Sequence, residues 1–563
     1  MNKIFSLFVV FLSCFSTFSQ NESMHYDVNH SINRYPTYED KSIFSEALQK
    51  VRNSQFPTTP ISAIAEFQPM SGVLIRYPLG IPVSLVRELS KITQVKVIFS
   101  KKIDSIQANQ YFTSSQVNMS NVAFWKIPND SYWVRDYGPW FVIDGLDSVR
   151  VIDFVYNRPT RPNDDVAIEH IVDFMDVNLY EMPMVHTGGN YMVDGYGTAA
   201  STMLVLQENP LETELLLQEI AFNYLGVDNY MFLPDPLGEY IAHIDCWGKF
   251  LAVDKVLIGK VPQTDPRYAN YEEVAETFAQ ALTPWGNHYK VYRVYANPNS
   301  NLATPYTNSL IINDHVFVPI TGNAHDDEAI AVYQNAMPGY KIVPIMQSNF
   351  TPWLSTDALH CRTHELADLG MLYIKHYPIL GQKSITEELK ITAVIKPLSG
   401  KPLVNDSILL FYKINNGDWI SNNLTQSTND TYEFDFSTIQ MSPSDQIQYY
   451  IYAKDESGRR EKHPYIGSAD PHRFTIENVG LEYLIEKSVD VYPTTADEVL
   501  YVKSNSDIYA VSIYDLKGKL ILQENNLMST IVKIGVNNLS SGFYVVNVED
   551  KKGNSVKKKF VKR

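Results

Sequence analysis

From about residue 60 to residue 376 one order of elements keeps returning: an apolar run rich in β-formers, a stretch of helical periodicity, and a second β-rich run. GVLIRYP leads through VSLVRELSKI to VKVIFS, and TMLVLQENP leads through LETELLLQEIAFNYLG to YMFLP. KFLAVDKVLIGKV leads through NYEEVAETFAQALTPWG to YKVYRVYA, and NSLIINDHVFVPIT leads through DDEAIAVYQNAMP to YKIVPIM. Strand, helix and strand in this order make a crossover unit of the α/β class, with open sheet edges that must be hidden. The units are too long and irregular for a solenoid. Closed radially into an α/β propeller they hide their edges and leave the central axis as the natural pocket.

The texture changes near 380 and again near 480. Over 385–477 the helical period vanishes, and LKITAVIKP, SILLFYKIN, TYEFDFST and IQYYIYAKD read as short strands broken by Gly, Pro, Asn and Asp. That is the pattern of a small immunoglobulin-like β-sandwich, and with no catalytic cluster it reads as a spacer or binding module. Residues 480–563 carry VYPTTADEVLYV, VSIYDLKGKLI, LSSGFYVVNVEDKKG and the basic end KKKFVKR. They resemble the C-terminal sorting domain of the type IX secretion system, a small β-sandwich read as an address; one more sandwich domain is the plainer alternative. At the other end MNKIFSLFVVFLSCFSTFSQ has Lys3, an apolar core from Ile4 to Leu12 and small residues up to Ser19. This is the layout of a signal peptide over 1–19, cut before Gln20, with 20–59 as an N-terminal extension. Phe11 argues against reading Cys14 as a lipidation site. No later apolar run reaches the ~20 residues a helix needs to cross a bilayer, so no transmembrane segment is expected and the chain is expected to be secreted or held at the outer cell surface.

The formal charge of -16 and pI near 5.3 argue against nucleic acid and anionic membranes as partners and suit a cationic substrate. Of the 3 cysteines, Cys14 leaves with the leader. Cys246 and Cys361 could pair, but two cysteines in so long a chain make no disulfide scaffold. In HIDCWGK, a strand would put His243 and Asp245 on one side and turn Cys246 to the other, into core packing. SYWVRDYGPW gathers Trp133, Arg135, Asp136, Tyr137 and Trp140 around a Gly-Pro turn. Taken singly, each has a structural explanation: a hydrogen-bonded His–Asp pair, or a cysteine used as a small hydrophobe. Taken together, a cysteine nucleophile, a histidine and two carboxylates are the equipment for attacking a guanidinium carbon, the carboxylates pairing with the planar cation. Zinc is the poorer reading, because no CxxC pair or closely spaced His ligands accompany Cys361. A papain-like protease would place its Cys before its His, and here His243 comes first.

YWVRDYGPW, YNRPTRPNDD, HTGGNYMVDG, YIAHIDCWGK, YTNSL and STDALHCRTHE resemble, in order, the blocks of the Porphyromonas-type peptidylarginine deiminases, kin to agmatine deiminases. The resemblance implies the five-bladed α/β propeller (pentein) of guanidino-group-modifying enzymes. It implies Cys361 as nucleophile, His243 as general acid and base, Asp136 and Asp245 as guanidinium clamps, and Asn308 completing the pocket beside the cysteine. Trp133 and Tyr240 would line the channel, and Arg158 and Arg161 would meet the substrate's carboxylate. Thr160 departs from the family pattern, in which a single proline separates the two arginines. The reaction implied is hydrolysis of peptidyl-arginine, C-terminal arginine preferred, to peptidyl-citrulline and ammonia, with no organic cofactor and no metal. Its partners would be arginine-containing peptides or proteins and the type IX secretion machinery. An agmatine or free-arginine deiminase, an amidinotransferase and a non-enzymatic surface adhesin are the alternatives.

Overall fold

A computed structural model of the chain describes residues 44, 47–49, 51 and 54–563, except 239–240, 298–302, 385–386, 478–488 and 552–554. The leader, most of the extension, Tyr240 and the boundary near 480 lie outside the described residues. The described chain divides into two compact units, the first ending at Ala367.

The first unit uses one recipe in each of its sheets: a short antiparallel pair, a helix, and a strand that returns parallel. In the sheet nearest the start, Met70–Arg76 pairs in parallel with Gln94–Phe99, which pairs in parallel with Val122–Lys126. The helix Val83–Ile92 crosses between the first two because its apolar residues recur at helical spacing, burying Leu85, Val86 and Leu89. Trp140–Ile143, Val149–Tyr156 and Leu179–His186 build a second sheet with Ser62–Ala63. Gly248–Ala252, Lys255–Lys260 and Lys290–Tyr295 build another around the helix Tyr268–Gln280. Leu310–Ile312, His315–Ile320 and Lys341–Met346 repeat it around Asp326–Ala336. The remaining sheet departs from its sequence expectation. TMLVLQENP is a helix, Leu204–Glu208, not a strand, and the strand beside it is Thr198–Thr202, paired with Asn229–Leu233. Small residues fill that fully buried strand, so it lacks the bulky signature by which the others were legible.

His364–Ala367 closes the set by pairing antiparallel with Met70–Arg76, His364 opposite Leu74. The last strand of the unit thus seals the first sheet and carries Cys361, three residues upstream, to its end. The expected boundary at 376 moves back to 367: Leu372–His376 pairs with Lys390–Pro397 and belongs to the second unit. Its apolar residues Leu372 and Ile374 face the core of that unit.

The second unit begins with two antiparallel layers. Leu372–His376, Lys390–Pro397, Thr431–Asp435 and Thr425–Thr428 form one sheet, and Gln446–Lys454, Leu409–Ile414 and His472–Ile476 anchor the other. Alternating burial along Gln446–Lys454 sends Ile447, Tyr449, Ile451 and Ala453 into a core shared with Ile391 and Ile395 of the first sheet. The strands between Val489 and Lys562 form a separate six-stranded sheet built on Val499–Asp515, Leu520–Gly535 and Gly542–Asp550, and KKKFVK lies in its strand Ser555–Lys562. Among the described residues no helix is long and apolar enough to cross a membrane.

Candidate active site

The histidine–aspartate pair of HIDCWGK does not sit on a strand. Ile244–Cys246 is a single turn of 3-10 helix with His243 as its extended N-cap, placed just before the strand Gly248–Ala252. The turn still aims His243 and Asp245 into one space, while Cys246, which follows them, is buried in the core. Cys246 Sγ lies 3.1 Å from the carbonyl oxygen of Thr356 and 3.7 Å from Asp245 Oδ1. Neither it nor Cys361 is in a disulfide.

Cys361 is held from several sides. Asn308 Nδ2 donates to its Sγ at 3.2 Å, while Asn308 Oδ1 accepts from the backbone N–H groups of Ala358 and Cys361 at 3.0 and 3.1 Å. Sγ lies 3.5 Å from Asp245 Oδ2. Burial, then the charges of Asp245, Asp357 and Asp136, push the Cys361 thiol well above its ordinary range, opposed by the Asn308 bond. The free site therefore holds a neutral thiol.

Across from it, His243 Nδ1 lies 3.6 Å from Asp136 Oδ1, too long for a hydrogen bond. Both side chains are buried, and among the described residues neither nitrogen of His243 nor Asp136 Oδ1 has a partner. Burial pushes His243 down to about 3, so its imidazole is neutral at neutral pH. Burial and then the charge of Asp245 push Asp136 up to about 7, against the pull of Arg158 and Arg161. Gly189, in HTGGN, keeps the gap open: a Cβ there would stand 2.6 Å from His243 Nδ1, 2.7 Å from Asp136 Oδ1 and 3.4 Å from Asp245 Oδ2. Orphaned buried groups around a gap reserved by a glycine are what a polar ligand site looks like before its ligand arrives.

The two arginines of YNRPTRPNDD lie close enough to Asp136 and His243 to shift both. Arg161 stacks over the Trp133 ring at 4.5 Å and donates to Tyr156 Oη at 3.4 Å; Arg158 donates to the carbonyl of Asn157 at 3.1 Å. The plain alternative, ion pairs with Asp164 and Asp165, is not what the structure holds. Asp164 accepts from the N–H groups of Asp130 and Ser131 and from the Ser131 hydroxyl, and Asp165 accepts from the N–H of Tyr156. Neither arginine forms an ion pair among the described residues.

Behind Asp245 stands a layer that motif reading missed. His360 Nδ1 lies 2.8 Å from Asp245 Oδ2, and its Nε2 lies 3.4 Å from Glu66 Oε2. Glu66 also takes Lys249 Nζ at 2.5 Å, and Arg135 grips Glu365 with two bonds of 3.0 and 2.5 Å. Burial alone would raise Asp245, but the hydrogen bond and charge of His360, then His243 and Arg135, hold it below its ordinary value. The same layer lines a cavity of about 60 Å³ that touches Asp245 and His360 but not Cys361, His243 or Asp136. A charged residue inside an apolar run, as with Lys249 in GKFLA or Glu66 in AIAEF, was the available signal, since such a residue must find a buried partner.

Residues 63–366 match the family model described as Porphyromonas-type peptidyl-arginine deiminase, and residues 490–563 match that of a secretion system C-terminal sorting domain. The agmatine deiminase of Pseudomonas putida is 25% identical over 324 residues, covering 50% of this chain and 85% of that protein. Among solved structures, the agmatine deiminase of Enterococcus faecalis aligns with a TM-score of 0.48 at 23% identity, over 57% of this chain and 96% of that one. The C. jejuni agmatine deiminase aligns with a TM-score of 0.46 at 18% identity, over 55% and 96%.

Proposed function

Because the chain belongs to the Porphyromonas-type peptidyl-arginine deiminase family, we propose that it hydrolyses the guanidino group of peptides ending in arginine, giving peptidyl-citrulline and ammonia. The observation that carries this reading is the set of groups around Gly189: the unpartnered Asp136 Oδ1 and the neutral imidazole of His243, with Asp245 beside them, are buried and face a cysteine, and they ask for a cation rich in N–H donors. In this reading the five small sheets are the blades of a propeller with the site on its axis, and the two-layered domain that follows is of immunoglobulin type.

A guanidinium entering the gap donates to Asp136 and Asp245 and offsets the negative charge that keeps the thiol protonated. The thiol proton passes to His243, and the thiolate adds to the guanidinium carbon. His243 returns the proton to the departing nitrogen, which leaves as ammonia. Water, deprotonated by His243, then attacks the thiouronium carbon, and collapse expels the Cys361 thiolate and leaves citrulline.

The substrate's α-carboxylate is assigned to Arg158 and Arg161, two cations without carboxylate partners beside a site meant for a cation. Agmatine is the second reading, supported by the names of the relatives. Agmatine has hydrogen in place of that carboxylate and an ammonium where the peptide has its amide nitrogen, so it offers the arginines no anion and they would repel its second charge. One panel separates them: an arginine-ending peptide, its C-terminal amide and agmatine, each followed by citrulline (or carbamoylputrescine) and ammonia. The free acid is expected to react fastest; equal rates for acid and amide remove the clamp, and a preference for agmatine replaces the substrate. The sorting domain supports export through the type IX machinery, with the segment beyond about residue 480 cut off. Intact mass of the extracellular protein tests that cut.

A further inference from the structure

The buried layer behind Asp245 has a charge count that leaves one residue to be settled. Arg135 and Glu365 form a two-bonded pair and sum to zero. Lys249 and Glu66 lie 2.5 Å apart and also sum to zero, whichever of them holds the proton. Asp245 is left, with its Oδ2 facing His360 Nδ1 at 2.8 Å. The opposite nitrogen of the same ring faces Glu66 Oε2 at 3.4 Å. Glu66 is not free to donate toward that nitrogen: Oε2 receives Lys249, and Oε1 accepts the N–H of Ile311 at 2.7 Å. A neutral imidazole would therefore present a lone pair to a carboxylate oxygen at one end; only the doubly protonated ring donates at both. The other ring nearby, His364, gives its Nδ1 to the carbonyl of Glu365 at 2.7 Å and is pushed down to about 4 by burial, so it supplies no positive charge.

We propose that His360, the residue immediately before the cysteine, is an imidazolium positioning residue: it bridges Asp245 to Glu66 and keeps Asp245 an ionised, oriented clamp for the substrate cation. It touches neither the substrate nor the reacting atoms in this arrangement. Its effect passes through Asp245, so the two clamp carboxylates enter catalysis in different states. Asp245 is charged before the cation arrives, and Asp136 becomes charged as it arrives. The proposal rests on the deiminase reading for its kinetic consequences and on geometry alone for the protonation of the ring.

Two measurements test the two halves separately. In the full-length protein labelled with ¹⁵N-histidine at pH 7.5, with His360 assigned by through-bond correlation to its own backbone, both ring nitrogens are expected at protonated shifts. A lone-pair nitrogen on either side overturns the proposal, whatever the enzyme turns out to do. In kinetics on an arginine-ending peptide, His360→Gln is expected to raise KM roughly tenfold, because Asp245 loses the partner that orients it toward the substrate cation, with a smaller change in kcat. On the acid side of the rise through pH 7 that Asp136 sets, the fall in kcat/KM should become steeper, as Asp245 joins Asp136 in taking up a proton. Glu66→Gln, which leaves the ring in place, should steepen it in the same way by less. Should His360→Gln fail to fold, Glu66→Gln and the spectrum decide. An acid limb no steeper than the parent's, or a loss confined to kcat, overturns the positioning role. If the unsubstituted protein converts no guanidino compound, the deiminase reading fails while the spectrum still reports on His360.

Discussion

The two sides of the site are opposites in how their polar groups are satisfied. On the side of His360, every charge meets another: Asp245 with His360, Glu66 with Lys249, Glu365 with Arg135. On the side of Asp136, an oxygen of Asp136 and both nitrogens of His243 are buried without partners, and Arg158 and Arg161 lack a carboxylate. Leaving a buried polar group unpaired costs about 1–3 kcal/mol, so a fold keeps several together only where something else completes them. Partnered charges mark the scaffold and unpartnered ones mark the ligand, although both sets are polar.

The severest way to break the contrast is to remove the thiol proposed as nucleophile. Cys361→Ala should lower citrulline formation from an arginine-ending peptide by roughly a thousandfold or more, since it deletes the sulfur that Asn308 holds beside Asp245. Its melting temperature should hold close to that of the parent, because the change deletes only one sulfur from a site that Asn308 also holds through backbone contacts.

Next in size is the gap itself. Gly189→Ala places a methyl within 2.7 Å of two of the unpartnered atoms, so either the gap closes or His243 and Asp136 are displaced. A displacement of this order is expected to cost about a hundredfold in kcat/KM, read on the same peptide. The layer around His360 should be unaffected, and the ¹⁵N pattern of His360 is the control.

The third prediction is a pH dependence belonging to the unpartnered side alone. Asp136 sits at about 7 in the free protein and must be ionised to pair with a guanidinium, so kcat/KM should climb through pH 7 and fall about tenfold per unit below it. His243, at about 3, adds no limb in that range. For stability the sign reverses. A carboxyl raised in the fold is stabilising when protonated, and that contribution is lost as pH rises through 7. Asp136→Asn should therefore be more stable than the parent at pH 8, by up to a few kcal/mol, while binding substrate poorly. Urea midpoints at pH 5.5 and 8 check it: the difference between variant and parent should be larger at the higher pH.

Much of the partnerless side was legible in sequence, because ligand-binding groups travel with short motifs. Asp136, His243, Asp245, Asn308 and Cys361 come from four separate blocks, and the structure brings them together. The local reasoning was less sound. His243 and Asp245 converge by a 3-10 turn and not by strand alternation. The partnered side was nearly invisible. Glu66, Lys249, His360 and Glu365 belong to different sheets or connections and meet only when His364–Ala367 closes on Met70–Arg76, a long-range event with no local periodicity. The strand Thr198–Thr202 and the boundary at 367 escaped for related reasons: one is built of small residues, and the other is set by which sheet accepts Leu372–His376.

The smallest effects should come from the two arginines, and they should be unequal. Arg161 is already placed, stacked on Trp133 and bonded to Tyr156 Oη, so little side-chain entropy remains to be lost when it meets an anion. Arg158 has one bond, to the carbonyl of Asn157, and stands near Glu208, a buried carboxyl that burial raises to about 8 and that Asn157 Nδ2 meets at 2.7 Å. A neutral Glu208 leaves Arg158 available to an anion, but one less firmly oriented than Arg161. If both grip the α-carboxylate, Arg161→Ala should shrink the ratio of free-acid to amide rates by roughly tenfold and Arg158→Ala by a few-fold, each with little change on the amide. Arg161→Lys keeps the charge but loses the planar fork and the stacked geometry, so it should recover only part of the ratio. Equal losses on acid and amide would instead make the arginines scaffold for Trp133 and Tyr156 and move them to the partnered side of the comparison.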